Sequence, residues 1–193
     1  AAFHGMDEPG EKAVFVHVTA GDAGRGVTGE PVPYYKAREE GALRAIRFMA
    51  NAGDKPGLGA TMEWSAADRA DHLVQRATYA NAVVYFLRLP DGSGFQGTGY
   101  EGTGFQSLQR LMSGEIQAIE AVDGSARYAG WADLQNTLRD IVEEERGLAG
   151  RGGMRLVRSV VCFVLRGRGR TPVGGDSLVR AGLVAAGRGA RSA

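Results

Sequence analysis

The chain has 193 residues, enough for one α/β domain with a sizeable core and a tail. Its 44% hydrophobic and 23% charged content is that of a globular chain, and no apolar run is long enough to cross a bilayer. The net charge of +1 conceals an asymmetry: residues 1–146 carry 21 of the 22 acidic side chains, and residues 147–193 carry nine Arg and one Asp. Two domains of different chemistry are therefore expected, an acidic folded part over 1–146 and a basic Arg/Gly-rich tail over 147–193.

The chain opens on AAFHGMDEPGEK, without an initiating Met or the basic-then-apolar order of a signal peptide. A processed or cropped start and a cytoplasmic setting are the expectations. AVFVHVT (13–19) reads as a buried strand, β-branched and aromatic in composition. It runs into the glycine-punctuated loop AGDAGRG (20–26), where Gly21, Gly24 and Gly26 suit positive φ and a close backbone approach to a ligand. Strand, polar loop and helix is how open α/β sheets bring polar groups to a crevice, although an ordinary βα connection reads the same way.

The helix is predicted over 33–50, with Ala42, Ala45, Ile46 and Met49 on its apolar face and Arg38, Glu39 and Glu40 near its start. Residues 51–60 form a loop, and 66–79 are expected as a short, weaker helix. AVVYFLRL (82–89) is the second clear strand and ends in the turn signal PDGSG. GFQGTGYEGTGFQ (94–106) repeats GFQ and GTG around Phe95, Tyr100 and Phe105, which suits either an aromatic-pinned surface loop or a flap over a ligand. A helix is predicted over 107–121, a turn over 122–128 and a cleanly amphipathic helix over 131–146 with Leu134, Leu138, Ile141 and Val142 on one stripe. Residues 154–167 are a candidate strand, and the rest of the tail is low in complexity.

Few residue patterns carry recognisable chemistry. The loop after the first strand matches neither Gly-x-Gly-x-x-Gly nor Gly-Lys-Ser/Thr, which argues against nucleotide binding by those routes. Of the three histidines, His17 reads as a core residue, His72 as a surface residue, and His4 with Asp7 and Glu8 as a minor zinc candidate without a supporting His-x-x-x-His pair. Cys162, in the run VVCFVL, reads as a small core residue. RGRGR (166–170) would suit a nucleic-acid-binding arm, but the tail's one aromatic, Phe163, offers little base stacking.

TAGDAG (19–24) after an apolar strand, AREEGALRAI (37–46) opening a helix, and LPDG (89–92) ending a later strand together resemble the PIG-L/LmbE-like deacetylases. The resemblance covers about residues 11–142. It implies a Rossmann-like three-layer α/β/α fold with a mostly parallel sheet, incomplete here. It also implies zinc-dependent hydrolysis of an N-acetyl amide on a sugar or related small molecule. By the resemblance Thr19, Gly21, Asp22 and Gly24 would line the site, Arg38 would be its buried or substrate-facing arginine, and Asp91 would lie at the end of its strand.

The departures from the family pattern concern the metal. HGMDE (4–8) imitates its Ala-His-x-Asp-Asp-Glu string, but Met6 stands in place of the catalytic carboxylate and the strand follows too soon. Gly41 replaces the Glu three residues after the arginine, and no His follows His72. The composition changes where the late His-x-x-His should appear, as a shifted reading frame would produce. An inactive fragment is thus expected, with no catalytic or metal-ligating residue named and no tight zinc binding. The alternatives are a sugar- or small-molecule-binding α/β domain without catalysis and, less favoured, nucleic-acid binding through the tail.

Overall fold

A computed structural model describes residues 12–25, 32–52, 61–92, 97–151 and 159–163. The candidate zinc string at 4–8 and the tail beyond residue 163 lie outside the described residues. The chain forms a mixed α/β fold on a five-stranded sheet. The strands are β1 (Ala13–Thr19), β2 (Glu63–Arg69), β3 (His72–Tyr79), β4 (Ala82–Leu89) and, after a two-stranded ribbon of β5 (Ile119–Glu120) and β6 (Arg127–Tyr128), β7 (Ser159–Phe163). The helices are α1 (Tyr34–Asn51), α2 (Leu108–Ser113) and α3 (Trp131–Arg151).

The sheet order is β2-β3-β4-β1-β7. β1 runs parallel to both β4 and β7, whereas β2, β3 and β4 form an antiparallel meander. The sheet is therefore mixed, not mostly parallel. β1 and β4 are buried at every position, which is why they read as continuous apolar runs.

Alternate residues of the two strands feed two cores. Val14, Val16 and Val18 pack with Tyr85, Leu87 and Leu89 and with Leu134 and Ile141 of α3. Ala13 and Phe15 pack with Val84 and Phe86 and with Leu43, Ile46 and Ala50 of α1. Burying each of the large side chains contributes about 1.5–3 kcal/mol.

Three expectations are corrected. Residues 66–79 are not a helix but the second half of β2, a tight turn and the whole of β3. The turn carries Ala70 and Asp71 at φ 47° and 64°, a left-handed pair usually announced by Asn-Gly and here unannounced. The helix predicted over 107–121 is the single short α2: Ser107 caps its start by accepting from Arg110 N (3.2 Å), and Gly114 ends it at φ 77°. α1 matches its predicted span, but its buried face is Tyr35, Glu39, Leu43, Ile46 and Ala50, with Ala45 exposed. α3 runs across position 146 to Arg151, and β7 adds to the sheet beyond it, with Cys162 paired to Val16.

Candidate functional site

The carboxyl ends of β1 and β4 lie side by side, and the loops that leave them are tied together. Ala20 N donates to Leu89 O (2.8 Å). Asp91 then accepts from two amides of the first loop, Gly21 N on Oδ1 (3.1 Å) and Ala23 N on Oδ2 (3.0 Å). Asp22 returns the contact, accepting from Asp91 N on Oδ1 (3.0 Å). The loop reaches this shape through left-handed Gly21, Ala23 and Gly24 at φ 67°, 51° and 77°.

Burial raises the Asp91 carboxyl above its ordinary range. The Ala23 amide, the Thr19 hydroxyl and the Gly21 amide oppose the rise, and the Asp22 charge adds to it. Tyr100 covers the loop: a Cβ on Gly24 would lie 2.3 Å from Tyr100 Cγ. The Tyr100 phenol is held above its ordinary pKa by burial and by the charges of Asp91 and Asp22. Tyr100 thus brings the glycine-rich segment after β4 onto the loop after β1.

Beside this clamp a small cleft is lined by His17, Thr19, Ala20, Arg38, Glu39, Phe86 and Arg88. The structure accordingly joins Thr19, Gly21, Asp22 and Asp91 in one polar network, seats Gly24 under Tyr100, and places Arg38 with Thr19 in the lining of the cleft. Arg38 is half-buried, not buried. The carboxylates of Asp22 and Asp91 are spent on the protein's own amides, so their role is to shape the loops. Gly41 lies on the exposed side of α1, and nothing stands within 4 Å of where its Cβ would be.

The floor of the cleft holds an ion cluster that sequence reasoning missed. Arg88 interrupts the apolar strand β4 at a bulge, where Phe86 to Leu89 spans the same ladder as His17 to Thr19. Its φ of 57° is left-handed, a cost of about 1–2 kcal/mol for a residue with a side chain. The guanidinium binds Glu39 through Nε (2.6 Å) and Nη2 (3.1 Å), and Asp123 through Nη1 (2.6 Å). Burial opposes the charge on Arg88, yet Glu39 and Asp123 hold its pKa above the ordinary value.

Burial likewise pushes the Asp123 carboxyl up, but the Ser125 hydroxyl and amide, with Arg88, bring it below its ordinary value. Lys36 adds a further bond to Glu39 (3.2 Å). A charged residue within AVVYFLRL was the one available signal for this cluster, since its partners lie 49 and 35 positions away.

His17 is buried and stacked on Phe86 at 5.0 Å, and burial lowers its pKa to about 4. It is a neutral wall of the cleft. His72 is not a surface residue: it bonds Asp133 at the start of α3 (3.0 Å) and packs on the Tyr128 ring (4.3 Å). Among the described residues no three His, Cys, Asp or Glu side chains converge as metal ligands, so these residues do not fit a zinc centre and no zinc-dependent step is derived. Among them, too, no helix is long and apolar enough to cross a membrane. No protein-family model matches the chain, and neither the curated proteins nor the solved structures contain a match.

Proposed function

We propose that the chain is a Rossmann-like, three-layer α/β/α domain of PIG-L/LmbE type, and that the strand-end cleft binds a small N-acetylated, sugar-like molecule. The observation that carries the reading is the convergence of Thr19, Gly21, Asp22, Gly24 and Asp91 on the carboxyl ends of two adjacent parallel strands, with Arg38 in the lining of the adjoining cleft. The helices that pack with β1 and β4 draw on the two separate cores, and such a switch point is where open α/β sheets open a crevice. Within it Arg38 supplies donors to an acetyl carbonyl or a ring hydroxyl, Thr19 lines the same cleft, and His17 with Phe86 forms an apolar wall. The Asp91–Asp22 clamp fixes the loop and takes no part in a bond-breaking step, so the reading is of recognition, with no hydrolytic residue assigned.

The test is thermal denaturation with N-acetylglucosamine and with glucosamine, run beside an acetate-release assay with added zinc or EDTA. A ligand present at about ten times its Kd stabilises by ~1.4 kcal/mol, or roughly 3–5 °C for a chain of this size. N-acetylglucosamine is expected to give that shift, glucosamine a smaller one, and Arg38→Ala to abolish it while leaving the unliganded melting temperature in place. No shift with any N-acetylated sugar would refute binding, and EDTA-sensitive acetate release would refute recognition without turnover.

A further inference from the structure

The outer edge of the sheet carries a second surface. β2 has β3 on one side and, among the described strands, no neighbour on the other. Its seven residues pair with β3 without a break, from Glu63↔Thr78 to Arg69↔His72, so the edge is a regular ladder. Glu63, Trp64, Ser65, Ala66 and Asp68 are exposed. Edge strands are ordinarily guarded by charged side chains, Lys above all, by Pro or by a bulge; this one has no Lys, Pro or bulge, and its charges, Glu63, Asp68 and Arg69, lie towards its two ends and leave Trp64 to Ala67 uncharged. Two of its carbonyls meet side-chain donors, Ser65 O from Gln75 Nε2 (2.9 Å) and Asp68 O from Arg69 Nη1 (2.5 Å). The main-chain groups directed away from β3 meet no described strand.

This edge is complementary to its own reverse. Two copies laid antiparallel about Ala66 set Glu63 opposite the partner subunit's Arg69 at both ends, where the guanidinium also bonds the Tyr85 hydroxyl (3.3 Å) and lies 4.0 Å from Glu144, Trp64 opposite the partner's Asp68, Ser65 opposite the partner's Ala67, and the small Ala66 opposite its own copy. Sliding the register by two residues loses both Glu–Arg pairs. A slip of one turns every side chain to the wrong face. A parallel arrangement sets Glu63, Asp68 and Arg69 each against its own charge. Trp64, 48% exposed and stacked on Phe86 at 6.0 Å, lies along the same edge, where a partner strand would cover it.

We propose that a second copy of this chain docks on β2, antiparallel and two-fold symmetric about Ala66, joining two five-stranded sheets into one. Such an interface uses the same surface on both subunits and therefore closes at two copies. A seven-residue ladder with one tryptophan a side is small, so a dissociation constant of about 1–100 µM is expected.

Sedimentation velocity on the full chain is expected to show a reversible monomer–dimer equilibrium across that range. Partner Cα atoms in an antiparallel pair are about 4.5–5.5 Å apart, within disulfide reach. Ala66→Cys should therefore give a covalent dimer on mild oxidation. Asp68→Cys should not, because the two copies of position 68 lie more than about 13 Å apart; the parent chain controls for Cys162. Ala66→Lys opposes two ammonium groups and should raise the dissociation constant about tenfold, with the circular dichroism spectrum unchanged. A chain that stays monomeric to about 1 mM, or a dimer cross-linked equally through positions 66 and 68, would overturn the proposal. So would a dimer indifferent to Ala66→Lys. Should Ala66→Lys fail to fold, the cross-linking pattern decides.

Discussion

Replacing Arg88 by alanine tests whether the ion cluster holds the floor of the cleft. The Arg88 and Glu39 side chains are 7% and 5% exposed, and Asp123 is 16% exposed. Deleting the guanidinium therefore strands two carboxylates in a largely dry site, a loss of about 3–5 kcal/mol at neutral pH. In urea, with a slope near 2–3 kcal/mol/M for a chain of this length, the midpoint should fall by about 1.5–2 M. Arg88→Gly loses the same ion pairs but relieves the left-handed backbone at φ 57°, so it should be about 1 kcal/mol more stable than Arg88→Ala.

The deficit also has a pH signature. In the parent chain Arg88 helps to hold the Asp123 carboxyl below its ordinary value, and without the arginine that help is lost while burial still pushes the carboxyl up. The deficit is complete where Asp123 is ionised in both proteins and shrinks as pH falls through the carboxylate range, so the gap between wild type and Arg88→Ala narrows at acid pH. The assay is urea unfolding followed by circular dichroism at neutral and acid pH. A loss below about 1 kcal/mol, or an Arg88→Gly no better than Arg88→Ala, refutes the reasoning.

Two further outcomes follow from the cleft and its loops. Because the buried His17 titrates near 4 instead of 6.5, it stays neutral in the fold while the unfolded chain takes up a proton. Its contribution is complete above about pH 6.5 and is lost as pH falls towards 4, a total of roughly 3 kcal/mol. His17→Phe, able to stack on Phe86, should flatten that part of the stability profile, and an unchanged slope in urea melts would count against it. Gly24→Ala sets a Cβ into Tyr100 and forces φ +77° on an L-residue, which should cost about 2–4 kcal/mol in thermal melts. In a Tyr100→Gly background, which also removes the Tyr100 Cβ that would lie 2.4 Å from the new methyl, the cost should drop to about 1–2 kcal/mol; an equal cost in both backgrounds would show that Tyr100 does not seat there.

What could be read from the sequence depended on burial. β1 and β4 are covered on both faces, and α1 and α3 are long, so each left an unambiguous pattern. β2 is exposed at most positions, and β3 buries Val74, Ala77 and Tyr79 without a strict alternation. Neither leaves a period of two, and the left-handed residues of their turns are Ala70, Asp71 and Ala80 in place of glycine. The candidate loops were readable because both leave the carboxyl ends of clear strands. The Arg88–Glu39–Asp123 cluster was not, since nothing local marks which carboxylates an arginine inside a strand will find. Nor did the apolar positions of α1 show that a glutamate belongs to its buried face, a choice made by the guanidinium opposite.

The central place of β1 sets an order of events for a chain that is made from its first residue onward. Its parallel partners lie 69 and 146 positions further along, as Ala13 pairs with Ala82 and with Ser159. The meander of β2, β3 and β4 closes through near-neighbour turns within microseconds, whereas β1 must wait for a distant surface. At about 5–20 residues per second, ribosomal synthesis leaves the run AVFVHV without its first partner for several seconds. A strand that ends buried at every position is the one that spends longest uncovered on the way there, and it is the segment a chaperone would have to shield.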